Sequence, residues 1–167
     1  MTQTIENKDF TTTFLVDQTP TEVFRAITNV RGWWSEDIEG ATSQRGDEFV
    51  YHFRDIHSCK MKLIDVIPDK SVVWLVAYNH FNFVKDQNEW TGTTVHFDIS
   101  QEGDKTRLVF THEGLVPTFE CYDVCSPAWT DYVQRSLLPL ITMGKGHPNQ
   151  GEVLAFENQA ERASQPE

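Results

Sequence analysis

Long apolar runs and positive charge are both scarce in this sequence. No window approaches the roughly 18 consecutive apolar residues that a membrane-spanning helix needs, and residues 1–10 are polar. Lys and Arg number 14 against 25 Asp and Glu, which gives a net charge of -11. Because phosphate binding needs clustered basic residues, this balance argues against nucleic acid as a partner. We therefore expect a cytoplasmic chain with no membrane span and no nucleic-acid partner.

Cysteines are few, and motifs of familiar enzyme classes are lacking. Cys59, Cys121 and Cys125 form an odd set in a chain without an export signal, so reduced thiols are expected. No second Cys/His pair with zinc-finger spacing completes a tetrahedral site with Cys121 and Cys125. Gly-rich phosphate loops, nucleophile elbows and metalloprotease motifs are also missing. We therefore assign no metal, no cofactor and no catalytic residue.

Aromatic residues are abundant by contrast. They make up 12% of the 167 residues, with 11 Phe and 5 Trp, and each ring can bury a large apolar area. A chain of this length fits one domain with one core. We predict a domain over residues 1–147, followed by an acidic C-terminal tail over residues 148–167.

The first helix is indicated by its start signals. Thr19, Pro20 and Glu22 supply a capping residue, a proline at the first helical position and an acid in the first turn. Gly32 is expected to end or bend this helix, just before the pair Trp33 and Trp34. Four apolar residues recur at helical spacing and predict one buried stripe: Val23, Phe24, Ile27 and Val30.

Most of the remaining chain alternates apolar and polar residues with the period of a strand. Short turns between consecutive segments favour an antiparallel meander, and residues 79–89 are expected to form an irregular connection. About six strands are predicted, over residues 9–17, 47–54, 59–68, 71–78, 91–100 and 105–113. On their inner faces we expect Phe49, Tyr51, Phe53, Cys59, Met61, Leu63 and Ile67, then Trp74, Val76, Leu108, Phe110 and His112.

A long amphipathic helix is predicted near the C-terminus. Ser126 and Pro127 read as its cap and first residue, and it should continue to about Met143. Pro139 should kink the helix or end its regular part early, while Gly144 can stop it. Its broad apolar face must pack against the sheet.

These segments together resemble the START-like superfamily, also called SRPBCC, helix-grip or Bet v 1-like, and in particular the branch related to the C-terminal domain of the activator of Hsp90 ATPase. The resemblance extends over roughly Asp9 to Gly146. It rests on TPTEVFRAITNVRGWW at Thr19–Trp34, the strand at Asp47–Phe53, KMKLIDVIPDKSVVWLV at Lys60–Val76, TTVHFDISQEGDKTRLVFTHEGL at Thr93–Leu115 and AWTDYVQRSLLPLITMGKG at Ala128–Gly146.

The resemblance implies an α+β helix-grip fold, in which a curved antiparallel sheet wraps around the long C-terminal helix and short helices follow the first strand. Members of the superfamily enclose a cavity for lipids, sterols, polyketides or other apolar molecules, and some act as enzymes, carriers or cochaperones. An exposed edge strand could also pair in a homodimer.

The side chains expected between sheet and helix are the candidate ligand-binding residues. They could instead fill that space solidly and leave no pocket. Trp and Tyr, however, carry polar groups that orient apolar ligands in cavities. The candidates are Trp33, Trp34, Tyr51, Phe53, Met61, Trp74, Phe97, Phe110, His112, Trp129, Tyr132 and Val133.

Three functions follow as hypotheses. The first is binding of a small hydrophobic ligand in an internal cavity. The second is a protein-interaction module that contacts a chaperone, which the resemblance to the Hsp90-activator branch implies. The third is an enzyme acting on a hydrophobic substrate, for which His112, Glu113 and Asp98 are acid and base candidates. The sequence does not identify the ligand.

Overall fold

The computed structural model describes residues 8–53, 56–85 and 87–148. Its described strands form one antiparallel, curved sheet of seven strands in the order β1-β7-β6-β5-β4-β3-β2. The predicted α+β helix-grip fold is confirmed, although the sheet has one strand more than expected. The strands are β1 Phe10–Val16, β2 Ile38–Gly40, β3 Glu48–Phe53, β4 His57–Ile67, β5 Ser71–Phe81, β6 Thr94–Glu102 and β7 Lys105–Glu113.

The additional strand, β2, is too short for a period of two to be recognised in the sequence. It pairs with β3 over three residues, with Gly40 opposite Phe49. Gly40 has a φ of 115°, and a Cβ there would lie 2.3 Å from the backbone oxygen of Glu48. Glycine therefore permits both the backbone conformation and the close approach of β2 to β3.

Helix α1, Pro20–Thr28, begins as predicted. The amide of Glu22 donates to Thr19 Oγ1 at 3.1 Å, and the Glu22 carboxylate accepts from the Thr19 amide at 2.9 Å. This reciprocal capping box satisfies two backbone donors at the helix start. The predicted end at Gly32 is wrong, because the helix breaks at Asn29 (φ −88°, ψ 68°) and Gly32 lies inside the short helix α2, Val30–Trp33.

The inner faces of the strands match the predicted alternation except at one residue. Phe49, Tyr51 and Phe53 are all buried on β3. Ile67 was predicted to be buried with the inner residues of β4, yet it is 45% exposed. A register shift in the pairing of β4 with β5, between Leu63 and Asp65, leaves Ile64 as an extra residue of β4 and moves Ile67 off the inner face.

Strand β5 continues to Phe81, beyond the predicted end at Tyr78. Asn79 and Phe81 are buried there, and Phe81 is opposite His57 of β4. The polar residues Asn79 and His80 interrupt the apolar alternation, which is why the sequence indicated an irregular connection. This extra length carries the sheet to the edge of the cavity described below.

The final helix starts earlier than predicted and consists of three pieces: α3 Tyr122–Tyr132, a π-helical turn Val133–Leu137 and α4 Leu138–Met143. The predicted start at Ser126 and Pro127 is wrong, because Pro127 lies inside α3. Its missing amide would have bonded the carbonyl of Asp123, an exposed residue of the first turn, so water can satisfy that carbonyl.

The predicted irregularity at Pro139 is confirmed. The π-helical turn directly precedes α4, in which Pro139 occupies the first turn and its missing amide is tolerated. The helix ends at Met143 as expected, with Gly144 in the left-handed conformation at φ 80°.

No helix of the described residues is long and apolar enough to cross a membrane. The predicted tail, residues 148–167, lies outside the described residues apart from residue 148.

The segment after α4 is anchored to the end of α2. Ser136 is buried, donates to the carbonyl of Trp33 at 2.7 Å, and accepts from the amide of His147 at 2.7 Å. Gly146 lies so close that a Cβ would come within 2.3 Å of the Gly32 oxygen and 2.9 Å of the Ser136 oxygen. The backbone of this segment therefore packs directly on the turn that carries the tryptophan pair.

We expect Gly146→Ala to lower the free energy of unfolding by about 1–3 kcal/mol, because the added methyl group must displace backbone atoms. Urea unfolding followed by circular dichroism measures this loss. Lys145→Ala is the matched control at an exposed neighbour and should change stability by less than about 0.5 kcal/mol. Equal stability of the parent and Gly146→Ala would contradict the close packing.

Candidate ligand-binding cavity

A cavity of about 290 Å³ lies between one end of the sheet and helix α3. Residues of β3, β4 and β5 form one side, and residues of α3 between Val124 and Tyr132 form the other. Most of its lining side chains are aromatic, and they are joined by few aliphatic ones. The lining consists of Trp34, Tyr51, Phe53, Ile56, His57, Phe81, Phe83, Trp90, Val124, Cys125, Ala128, Trp129 and Tyr132.

Trp34 connects the cavity wall to the core. Its ring stacks on Tyr51 with centroids 4.2 Å apart and planes at 10°, and it lies 5.1 Å from Trp129. On the core side it stacks on Trp74 at 5.7 Å. Only 2% of Trp34 is exposed, so one indole both packs in the core and faces the cavity.

The structure places the candidate residues in two groups. Trp34, Tyr51, Phe53, Trp129 and Tyr132 line the cavity together. The others are buried in the core and do not line it, and ligand contact by any candidate stays a prediction. The core group is Trp33, Met61, Trp74, Phe97, Phe110, His112 and Val133.

Sequence reasoning missed eight of the lining residues, three of them because two elements were given the wrong ends. Strand β5 was ended before Phe81, and α3 was started after Val124 and Cys125. Both errors shift the expected site toward the middle of the sheet. The spacing of Val124, Cys125 and Ala128 is that of one helical face and could have indicated the earlier start. The missed residues are Ile56, His57, Phe81, Phe83, Trp90, Val124, Cys125 and Ala128.

His57 lines the cavity, and its hydrogen bonds determine which of its ring nitrogens carries the proton. Its Nε2 lies 2.7 Å from Oδ1 of Asn79, and Nδ2 of Asn79 donates to the carbonyl of Gln87 at 3.4 Å. A carbonyl can only accept, so Asn79 presents its oxygen to His57, and His57 Nε2 must be the donor. Burial lowers the pKa of His57 to about 4, against the opposing effect of the Asn79 bond. His57 is thus neutral at pH 7, with a lone pair on Nδ1.

His112 lies behind the cavity wall and holds two of its tryptophans. Trp129 Nε1 donates to His112 Nδ1 at 3.0 Å. His112 Nε2 then donates to Thr93 Oγ1 at 2.7 Å, and Thr93 Oγ1 donates to the carbonyl of Trp90 at 2.6 Å. Burial lowers the pKa of His112 to about 3, with His57 and His96 adding to the effect. This chain of donors requires the neutral ring and fixes Trp90 and Trp129.

Asp98 and Glu113, the carboxylic acids of the enzyme hypothesis, are both exposed and lie outside the cavity lining. Glu113 is exposed on the outer face of β7, where its Oε1 lies 3.1 Å from His96 Nε2. His112 alternates with it and faces inward. Neither residue lines the cavity, so the two do not form an acid–base pair in it.

The two cysteines at the start of α3, Cys121 just before the helix and Cys125 within it, are packed thiols. Both are buried, and a hydrogen bond with Cys121, followed by burial, raises the pKa of the Cys125 thiol above its ordinary value. A protonated thiol is a poor nucleophile. Within the described ranges 8–53, 56–85 and 87–148, no group of three or more His, Cys, Asp and Glu side chains could hold a metal ion.

Glu89 ties the connection that carries Trp90 to the start of α3. Its two carboxylate oxygens accept from the amides of Glu120 at 2.6 Å and Cys121 at 3.0 Å. A carboxylate at a helix N-terminus satisfies free amides and interacts favourably with the helix dipole. The contact therefore fixes Trp90 next to Trp129, and the two rings stack at 5.6 Å with planes at 11°.

The fold and this cavity define a helix-grip protein with an aromatic site. The family model described as Activator of Hsp90 ATPase homolog 1-like protein matches residues 17–138, which is more than half of the chain. The chain therefore belongs to this family, and the resemblance found in the sequence is confirmed. A search of curated proteins found no match.

Several solved structures share the fold. The Aha1 dimer from Colwellia psychrerythraea is 22% identical, with a TM-score of 0.66 and alignment over 83% of this chain and 99% of that one. DynU16, a protein in the dynemicin biosynthetic locus, is 18% identical with a TM-score of 0.62 over 83% of this chain and 48% of its own. The Mll3558 protein from Rhizobium loti is 17% identical with a TM-score of 0.62, over 81% and 96%. At these identities the likeness concerns the fold alone.

Proposed function

We propose that the protein binds a small apolar molecule in the aromatic cavity between the sheet and α3. The observation that carries the proposal is an aromatic-lined space of about 290 Å³ beside an otherwise tightly packed core. An apolar cavity of about 150 Å³ can hold one benzene ring. A cavity of this size is therefore suited to a molecule of about two rings.

The packing of the cavity wall supports a preformed site. Trp34 and Tyr51 stack on each other, and the hydrogen-bond chain through His112 holds Trp90 and Trp129. Side chains fixed before a ligand arrives lose little conformational entropy on binding. The binding free energy can then come from dispersion contacts with the rings and from removal of the ligand's apolar surface from water.

Calorimetric titration with benzofuran, a planar two-ring molecule, tests this proposal. We expect saturable binding at one site with a Kd below about 1 mM, or about −4 kcal/mol, and a negative heat-capacity change. Ala128→Leu adds bulk to the lining and should raise the Kd at least about tenfold, 1.4 kcal/mol. Ala77→Leu makes the same change at an exposed residue of β5 outside the lining and should bind like the parent. Equal Kd values for both variants would contradict the proposal, and so would the absence of saturable binding both by benzofuran and by indole, the analogue with N–H in place of the ring oxygen.

A second candidate function is contact with a chaperone, which the family match favours. Under this proposal the cavity is secondary and an outer surface binds the partner. Titration of the full chain into purified Hsp90 should then give saturable heat. Benzofuran at saturating concentration should leave that affinity unchanged. The absence of any Hsp90 binding would remove this candidate.

Self-association is a further proposal about partners. β1 and β2 are the edge strands of the sheet, and unpaired edges can pair between chains. Part of β1 is engaged, because Gln134 donates to the Thr13 carbonyl at 3.0 Å. Sedimentation velocity over a range of concentrations should show a dimer if an edge pairs, and a monomer throughout would exclude it.

A further inference from the structure

We infer that the cavity selects planar aromatic molecules that carry one N–H or O–H group, which donates a hydrogen bond to Nδ1 of His57. The inference rests on the proposed function and narrows it to a chemical class. Its two elements are the flat rings that form the wall and the lone pair on Nδ1 of His57.

The wall favours flat molecules because ring faces and ring edges form most of it. Trp34 and Tyr51 lie nearly parallel, and so do Trp90 and Trp129. His57 meets Trp90 edge to face, with centroids 4.8 Å apart and planes at 89°. A flat aromatic guest can contact such faces and edges in the offset-stacked or T-shaped geometries that ring pairs prefer. A globular aliphatic guest of equal volume makes fewer such contacts.

His57 contributes a hydrogen-bond acceptor to the lining. Its Nε2 is engaged by Asn79, so the polar atom left on its ring is Nδ1. No hydrogen bond joins that atom to another residue of the described ranges. Because burial keeps the ring neutral, Nδ1 presents a lone pair and no proton. His57 therefore accepts a hydrogen bond from a guest and cannot donate one from this atom.

The other polar groups of the lining differ from this imidazole nitrogen. Tyr51 and Tyr132 carry hydroxyl groups, which donate as well as accept, and the buried Nε1 of Trp90 is a donor. Trp129 Nε1 is a donor that is already bonded to His112. The Cys125 thiol is hydrogen-bonded with Cys121 and is at best a weak acceptor. A guest with a donor group thus satisfies His57 Nδ1, while a guest without one leaves this lone pair unpaired in an apolar site.

Indole and benzofuran test the inference because they differ only by N–H in place of a ring oxygen. We expect the parent to bind indole at least about tenfold more tightly than benzofuran, 1.4 kcal/mol. His57→Phe keeps a ring in the wall and removes the lone pair, so both molecules should then bind with Kd values within about threefold of each other. His80→Phe, on the same strand as Asn79 but outside the lining, should keep the parent's preference.

A second measurement needs no variant. In ¹⁵N-labelled parent protein, the Nδ1 resonance of His57 should move upfield when indole binds. The ¹⁵N resonance of an unprotonated ring nitrogen shifts in this direction when the nitrogen accepts a hydrogen bond. Benzofuran should leave it near its position in the free protein. An unshifted resonance with bound indole would overturn the inference.

The outcomes separate the two proposals. Equal affinity of the parent for indole and benzofuran would overturn the selection of donors, while binding in the cavity would stand. A preference for indole that persists in His57→Phe would also overturn it. Failure of the parent to bind either molecule would overturn the proposed function and the inference together.

Discussion

Replacing Trp34 by alanine is expected to lower the free energy of unfolding by about 3–5 kcal/mol, the usual range for deleting a large buried aromatic side chain. Trp34 is 2% exposed and contacts Tyr51, Trp74 and Trp129. Its removal takes away packing on the core side as well as the cavity side. Chemical denaturation followed by circular dichroism, with the parent in the same buffer, measures the loss.

Two controls show whether the position of Trp34 accounts for this effect. Trp34→Phe keeps a ring against Tyr51 and should retain more than half of the lost stability. Phe83→Ala removes another lining ring, but Phe83 is 40% exposed, so it should cost less than about 1.5 kcal/mol. A loss for Trp34→Ala no larger than that for Phe83→Ala would mean that Trp34 does not join the cavity to the core.

His112→Leu is expected to lower the free energy of unfolding by about 1–3 kcal/mol, the cost of leaving a buried donor without an acceptor. Trp129 Nε1 would lose its partner, and Thr93 Oγ1 would lose the donor from His112. His112→Asn is the matched control, since its amide oxygen can replace Nδ1 as acceptor for Trp129. The chain of donors would be contradicted if Asn and Leu were equally destabilising.

The same residue makes stability depend on pH. The pKa of His112 is about 3 in the folded protein, against about 6.5 in an unfolded chain. Between these values the unfolded state binds a proton that the folded state does not. This contribution to stability is therefore complete above about pH 6.5 and is lost progressively as the pH falls toward 3.

His57 has a depressed pKa of about 4 and acts in the same direction, so the parent loses stability from both rings on acidification. In His112→Asn, the pH-dependent contribution of His112 to the free energy of unfolding is missing. Between pH 7 and pH 4.5 its free energy of unfolding should fall by less than that of the parent, with a difference of up to about 2.7 kcal/mol. Parallel stability profiles for the two proteins would contradict a neutral, buried His112.

The order of the elements could be read from the sequence because the signals for them are local. The capping box at Thr19 and Glu22 involves residues three apart, and the alternation of Phe49, Tyr51 and Phe53 needs only one strand. Each such signal depends on chemistry within a few residues. The resemblance then supplied the arrangement of sheet and helix that local patterns do not determine.

The position of the cavity could not be read in the same way, because it depends on where two elements end. Asn79 is hydrogen-bonded to His57 and lies in the part of β5 that pairs with β4. Both contacts involve residues distant in the sequence, so no local pattern indicates that Asn79 is buried. The start of α3 depends on Glu89, more than thirty residues upstream of Glu120 and Cys121 in the chain. A carboxylate from a distant segment caps the helix there, so Ser126 and Pro127, the strongest local start signal, do not mark its beginning.

The most direct test of the account is to locate a bound guest by NMR in protein with labelled Ile, Val and Ala methyl groups. With indole at saturation, intermolecular NOEs should join the ligand to Ile56, Val124 and Ala128, the aliphatic residues of the lining. The exposed methyl groups of Ile64 and Ile67 serve as controls and should show none. NOEs confined to these exposed residues would contradict a ligand site between the sheet and α3.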